Sequence, residues 1–352
     1  MSWPSGPWSY WVAPTSAGRD IGTMDIVPFG PDDLERLSQY VAVVNAVREL
    51  DSPWQHPATL HSEEGRFRFG WDGEVESPYV GLTDGEPVAV GRLGTSDYDN
   101  HHLAWLGIQV APAHRRRGHG TAMLEALVAD ARGRGRTSIG TEGWESASTT
   151  GFAARHGLEQ KSAAIQRRQH LAEVDWPELE RLHKEASAAA SDYEVVRREG
   201  ASPDDELDAL AVMASAINDA PTDDLDIEDE VFTADRMRGY EQAQLSRGHR
   251  LFRTVARHRG TGELAGHSVV VVDDERPELG EQHDTSVVGT HRGHRLGLLL
   301  KVEMNLWLRE AQPQLTEIST WNAESNDHMI GVNEAIGYRI MGRQLELQRS
   351  LG

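Results

Sequence analysis

The segment Val110-Ala-Pro112-Ala-His-Arg115-Arg-Arg-Gly118-His-Gly120-Thr-Ala-Met123 decides the fold. A strand read over His102–Val110 runs into a loop rich in arginine and glycine. A helix read over Gly118–Arg132 follows at once, with Met123, Leu124 and Leu127 on one side. The free N–H groups of a helix start, reinforced by the macrodipole, form an anion site. Gly118 and Gly120 have no side chain to hold a phosphate away, and Arg115, Arg116 and Arg117 add charge. The pattern is a diphosphate cradle without a Walker lysine, and it lacks the third glycine of the dinucleotide fingerprint.

The cradle occurs twice. His114-Arg115 recurs as His291-Arg292, Gly85-Glu86 as Gly262-Glu263 and Gly120 as Gly297, each 177 residues later. A period of half the chain means two copies of one domain and not a solenoid. The first copy reads as helix 32–50, a strand pair over 79–93 around Asp84-Gly85, strand 102–110, helix 118–132, strand 137–141 and a short helix ending at Gly157. The second repeats that order with helix 206–218, strands 251–258 and 264–272, strand 283–288, helix 297–310, strand 317–320 and helix 327–336. An alanine-rich helix over 175–191 lies between them, so the domains are set at 1–175 and 176–352. The acidic run Asp223–Glu230 lacks the glycine of a calcium loop and reads as a solvated loop.

With Val110, Pro112, Arg115, Gly118 and Gly120 in place, the segment resembles the GNAT superfamily of acyl-CoA-dependent N-acetyltransferases. The second half, through His291–Gly297, Thr320–Met329 and Asn333–Tyr338, looks like a group of tandem GNAT proteins. The resemblance implies an α+β fold of two domains, each a mostly antiparallel mixed sheet flanked by helices and splayed where CoA enters. It implies acetyl-CoA as co-substrate, no metal, and transfer to a primary amine of a small molecule or peptide by direct attack on the thioester. The family's CoA-binding positions fall on Gln109, Val110, Arg115, Arg116, Arg117, Gly118, His119, Gly120 and Thr121. In the second copy they fall on Val287, Val288, Arg292, Gly293, His294, Arg295, Leu296, Gly297, Asn322 and Asn326.

Each copy departs from that pattern. Ser146 stands where the first copy should have the asparagine, and Arg295 occupies the place of Gly118 in the second. That arginine either blocks a phosphate or turns its guanidinium onto it. The tyrosine that many members use as general acid is Ala153 in one copy and Asn333 in the other. For the base, Glu281 lies level with the start of the strand before the second loop, where the first copy has Ala104, and His283 shares its face by alternation. The competing reading is an acyl-CoA-binding protein with one or both copies degenerate.

Composition bounds the partners. Over 352 residues, 38% hydrophobic content excludes a wholly disordered chain, and the absence of cysteine excludes thiolate chemistry. A net charge of −21 repels phosphate backbones, so no nucleic-acid partner is expected, and it suits cationic amines or basic peptides. No apolar run is long enough for a membrane span and no secretory signal is evident, so the expected location is cytoplasmic. Trp3, Trp8 and Trp11 would pack against a domain or a second copy of the chain, which leaves a homodimer as one reading.

Overall fold

The computed structural model describes residues 24–352, so Trp3, Trp8 and Trp11 lie outside the described residues. The first half runs β1 (Asp25–Pro28), α1 (Leu34–Asp51), α2 (Leu60–Phe69), β2 (Ser77–Thr83), β3 (Glu86–Gly94), β4 (Leu103–Val110), α3 (His119–Gly133), β5 (Ser138–Trp144), α4 (Ala147–His156) and β6 (Glu159–His170). The second half begins α5 (Trp176–Ala189), β7 (Tyr193–Glu199), α6 (Leu207–Ala214), α7 (Ala234–Ser246), β8 (His249–His258) and β9 (Leu264–Asp273). It ends with β10 (Leu279–Val287), α8 (Leu296–Ala311), β11 (Glu317–Ala323), α9 (Asp327–Ala335) and β12 (Arg339–Ser350). The expected α+β fold of two alike halves is the one found.

Local chemistry sets the boundaries. Asp84 and Gly85 both take positive φ, 52° and 81°, which is what a two-residue hairpin turn between β2 and β3 requires. Asp33 and Asp175 cap α1 and α5 by accepting the N–H of Arg36 and Glu178. The repeat is visible in single hydrogen bonds. Ala111 N–H donates to the Val88 carbonyl at 2.9 Å, and 177 residues later Val288 donates to Ala265 at 2.9 Å.

Among the described residues all twelve strands form one sheet, in the order β1-β2-β3-β4-β5-β12-β6-β11-β10-β9-β8-β7. Its centre is an exchange. The last strand of the chain, β12, pairs antiparallel with β5 of the first half, from Gln344 opposite Trp144 to Ser350 opposite Ser138. The last strand of the first half, β6, pairs with β11 of the second, from Glu317 opposite His170 to Ala323 opposite Ala164. The two exchanged strands then pair with each other. Leu345, Leu347 and Leu351 consequently pack in the first half's core, against Leu124, Leu127 and Ile139.

A buried leucine truncated to alanine costs about 2–5 kcal/mol. Leu347→Ala, though encoded at the end of the second half, should destabilise the first half by that amount. Denaturant unfolding followed by probes in each half should show one shared transition, because neither half closes its sheet alone. Two separate midpoints would contradict the exchange.

Candidate functional site

In each half, the fourth and fifth strands run parallel for only a few residues. Leu103–Leu106 pair with Ser138–Thr141, and Leu279–Glu281 pair with Glu317–Ser319. Beyond those residues the strands part. In the second half the β10 ladder also slips between Gln282 and Thr285, a bulge that leaves His283 and Asp284 outside the regular register. A cavity of about 750 Å³ opens there. One wall is His283–Val287 and the other Thr320–Ala323; α9 contributes Asn326, His328, Met329 and Val332, and the loop before α8 forms the mouth.

The loop has the same backbone in both copies. Arg116 and Gly118 have φ of 63° and 90°, and Gly293 and Arg295 have 87° and 57°. Arg295 thus accepts the left-handed conformation that Gly118 takes without strain, at a cost of about 1–3 kcal/mol. Its guanidinium neither folds onto the loop nor closes it: it lines the cavity mouth and reaches Glu185 of α5 at 3.4 Å. The arginine common to both motifs also shapes the loop. Arg115 Nε donates to the Val110 carbonyl at 3.1 Å and its Nη atoms grip Asp51 at 2.9 and 2.6 Å. Arg292 does the same with the Val287 carbonyl at 3.1 Å and Asp219 at 2.6 Å. Arg116, Arg117 and His294 are exposed, whereas His119 is buried beneath its loop.

The two copies differ in what fills the gap. A Cβ placed on Gly120 would meet the Phe152 ring at 3.2 Å and Val110 at 3.5 Å, whereas one on Gly297 would meet nothing within 4 Å. Phe152 is thus the side chain that crowds the first slot; three residues are inserted before α9, so its counterpart, at the same distance from the helix cap, is Val332. Deeper in the first half, polar side chains occupy the space between strands. Arg92 bridges Glu76 and Glu142, Trp105 Nε1 donates to Glu142, and Arg66 Nε binds Glu76 at 2.5 Å. Burial would raise the Glu76 carboxyl, but Arg92 and Arg66 outweigh it and hold it at about 2. Gln109 points its Oε1 into the interior with no partner among the described residues, and Thr121 Oγ1 pairs with His156 at 3.1 Å.

Of the residues read from sequence, the second cavity collects His283, Val287, Arg292, Gly293, Arg295, Leu296, Gly297, Asn322 and Asn326. Glu281, Val288 and His294 are not on its wall. Glu281 sits on the paired part of β10, opposite Val271 and Ser319, in a solvent-open recess. Crowding raises its carboxyl, with Arg247 and Arg66 opposing. Asn322 accepts from Asn333 Nδ2 at 2.7 Å, and Asn326 caps α9 through the Met329 N–H. Ser146, the first copy's substitute, caps α4 the same way through Thr149. His283 is kept neutral: burial pushes its pKa well below the usual range, and the Tyr240 hydroxyl bonds its Nδ1 at 2.6 Å.

Two groups that sequence reasoning missed face this space. Asp284, next to His283 in the bulge, lines both the large cavity and a second one of about 220 Å³. That second pocket takes Trp71 and Asp72 from the first half and Glu230, Arg236, Tyr240 and His267 from the second. Burial raises the Asp284 carboxyl. Burial at the rim, with Asp284 nearby, also pushes Glu230 up to about 7, although 48% of its side chain meets solvent, which screens part of that shift. Arg236 holds the pocket together, reaching Asp72 at 2.8 Å and Asp99 at 2.7 Å in the first half. The other missed group is Lys301 on the second turn of α8, 1% exposed, whose ammonium burial pushes down to about 7. The 177-residue offset did carry a signal: it places Gly107 opposite Asp284 and Leu124 opposite Lys301, polar groups where the first copy has apolar ones. Among the described residues no three His, Asp or Glu side chains converge as a metal site would need. No helix there is long and apolar enough to cross a membrane.

A pair of splayed α+β units, each with a glycine- and arginine-shaped loop at a helix start, defines an acyltransferase-type fold in tandem. Residues 44–157 match the acetyltransferase (GNAT) family. A mycothiol acetyltransferase of Saccharomonospora viridis is 31% identical over 155 residues, 41% of this chain and 45% of that protein; the match thus spans about half the length of the relative. A tandem GNAT protein from the clavulanic acid biosynthesis pathway superposes over 94% of this chain and 99% of its own, with a TM-score of 0.77 at 24% identity. A GCN5-related N-acetyltransferase from Sphaerobacter thermophilus superposes over 93% of this chain and 95% of its own, with a TM-score of 0.62 at 16% identity. Over nearly its whole length the chain has the fold of a tandem GNAT protein, and the family match itself lies in the first half.

Lys301 also yields a stability test. Its folded pKa lies below the ordinary 10.5, so the unfolded chain binds that proton more readily between about pH 7 and 10.5. Over that window this group's contribution makes the native state more stable as pH rises. Lys301→Leu, the residue used at the matching place in the first half, should therefore raise stability at about pH 6, with the gain shrinking towards pH 10. Urea melts of both proteins at several pH values check the sign.

Proposed function

We propose that the second half transfers the acetyl group of acetyl-CoA to a primary amine of a small molecule or peptide, and that the first half no longer turns over. The carrying observation is the meeting of two cavities at Asp284, one slot-like and mouthed by the loop 292–297, the other acidic and shared by both halves. The slot fits CoA on its own terms. Its glycine at 297 leaves open space, the start of α8 presents free N–H groups, and Arg292 and Arg295 supply positive charge at the mouth. Bound there, CoA supplies an activated thioester. Residues of the chain do the rest: Asn322 and Val287 line the slot, while Trp71, Asp72 and Glu230 shape the entry of a cationic amine.

An amine attacks only when neutral, so a proton acceptor must stand beside it. Asp284 lies where the two cavities meet, and its raised carboxyl is a stronger base than an exposed aspartate. His283 beside it, neutral and tied to Tyr240, is a positioning group in this reading. The crowded slot at Phe152 and the ion-paired interior at Arg92 support the reading of the first half as non-catalytic.

Calorimetric titration with CoA should give one site per chain. Met329→Trp, which places an indole in the slot, should abolish it, while Phe152→Trp should leave it unchanged. Asp284→Asn should lower turnover on an accepted amine by about 10²–10⁴ with CoA affinity nearly intact, since removing a general base typically has that effect. Two CoA sites, or loss of binding with the Phe152 variant, would return the chemistry to the first half.

A further inference from the structure

Acyl transfer as described leaves one buried charge without a task. Lys301 is one of three lysines in the chain, with Lys161 and Lys184, and it is the buried one. It lines the floor of the large cavity, no carboxylate among the described residues pairs with it, and its Nζ lies 5.1 Å above the Tyr338 ring. Burying an unpaired ammonium is strongly unfavourable, because nothing replaces the water it gives up. The fold does not require it, because Leu124 fills the same place in the first half. A polar group kept at that cost in a cavity wall is a group with a ligand.

Depth says which part of the ligand. Arg292, Gly293 and Arg295 at the mouth are exposed, whereas Lys301 and Thr320 on the inner wall are 1% and 3% exposed. Thr320 is the first residue past the last β10–β11 pair, where the gap begins. A long molecule with its diphosphate at the mouth carries its thioester to that inner end. We propose that Lys301 is the proton donor to the departing sulfur of the acyl donor; this rests on the reading of the cavity as an acyl-CoA slot.

The step balances with two protein groups. The amine nitrogen bonds to the acyl carbon, the carbon–sulfur bond breaks, and its electron pair stays on sulfur. Lys301 Nζ–H passes a proton to that sulfur, and the proton shed by the amine goes to Asp284. Solvent exchange then restores the ammonium and the carboxylate. An ammonium lowered to about 7 is matched to such a donor at neutral pH. The other charged or titratable groups facing this space are Asp284 and His283 on β10, His328 on α9, Arg292 and Arg295 at the mouth, and Asp219, which pairs with Arg292. Arg167 on β6, across from Thr320, shares that face of the sheet. Two nearer alternatives fail. Asn333, at the place of the expected tyrosine, is committed to Asn322, and the Tyr338 hydroxyl is not on the cavity wall.

The test uses the whole chain with CoA as probe. An ammonium beside the sulfur stabilises its thiolate, so the ultraviolet thiolate band of bound CoA should appear about one pH unit or more lower in the wild type than in Lys301→Leu. CoA affinity should change by less than about threefold, because the diphosphate end carries most of the contacts. Lys301→Met, with a straight apolar chain, gives the same comparison if the leucine variant does not fold. Equal thiol midpoints with CoA bound in both proteins would overturn the role of Lys301 and leave the slot standing. Failure of the wild type to bind CoA at all would overturn the slot, and the proposal with it.

Discussion

Everything in this molecule hangs on the pairing of β6 with β12. Each is the last strand of one half and lies beside the fifth strand of the other, so the hydrogen-bond ladder that closes either sheet is supplied from across the chain. Strands buried on both edges leave no template for misassembly. The exchange also reaches the cavity. Trp144 at the end of β5 and Trp321 at the end of β11 are repeat equivalents, and the exchanged strands bring their rings within 5.5 Å. Gly342 of β12 passes so close that a Cβ there would collide with Trp54 and Trp144. One wall of the slot, at Trp321, is therefore held from the first half.

Duplication supplied two copies of one cradle, and physical chemistry then separated them. A gap between splayed strands must be filled by ligand, water or side chains. In the first half it is filled from within: Phe152 leans over Gly120, and Arg92 threads between Glu76 and Glu142. In the second half the corresponding places hold Val332 and open space at Gly297, with Asp284 and Lys301 on the walls. The loop was the part least changed, since both copies keep the same pair of left-handed residues and the same arginine tied to the preceding strand's last carbonyl. Loop conservation within the chain thus marks ancestry of the fold, and the walls mark use.

The sequence made the repeat, the α+β class and most elements legible, because apolar spacing and glycine turns carry that information. It concealed α7, where Arg236, Glu241 and Gln244 are buried and only Met237, Tyr240 and Ala243 remain as an apolar stripe. It concealed β6 and β12 for a related reason: Gln166, Arg167, Arg168 and Gln169 are buried between neighbouring strands and read as surface. The acidic run 223–230 is the exposed loop its composition indicates, and it also makes specific contacts: Asp223 binds Ser162 and Ser325 at 2.6 Å each and Glu228 exchanges hydrogen bonds with Asn100. It is a strap between the halves. Strand alternation led to Glu281, and the bulge after Gln282, which no local pattern announces, put Asp284 on the cavity wall instead.

The first half also helps to build the second half's pocket. Its Trp71 stacks on His283 at 4.3 Å and its Asp72 and Asp99 neutralise Arg236, so the floor of the acidic pocket is built from both copies. Removing those carboxylates would leave Glu230, already 3.3 Å from the Arg236 guanidinium, as its remaining acidic partner. The net charge of −21 is therefore a poor guide to the pocket, where Arg236 and Arg253 stand among Asp72, Glu230 and Asp284. The pocket's character is set not by bulk negative potential but by a few carboxylates whose ionisation the surrounding arginines and burial govern. A site of that kind selects by placement, and the placement depends on side chains from both halves.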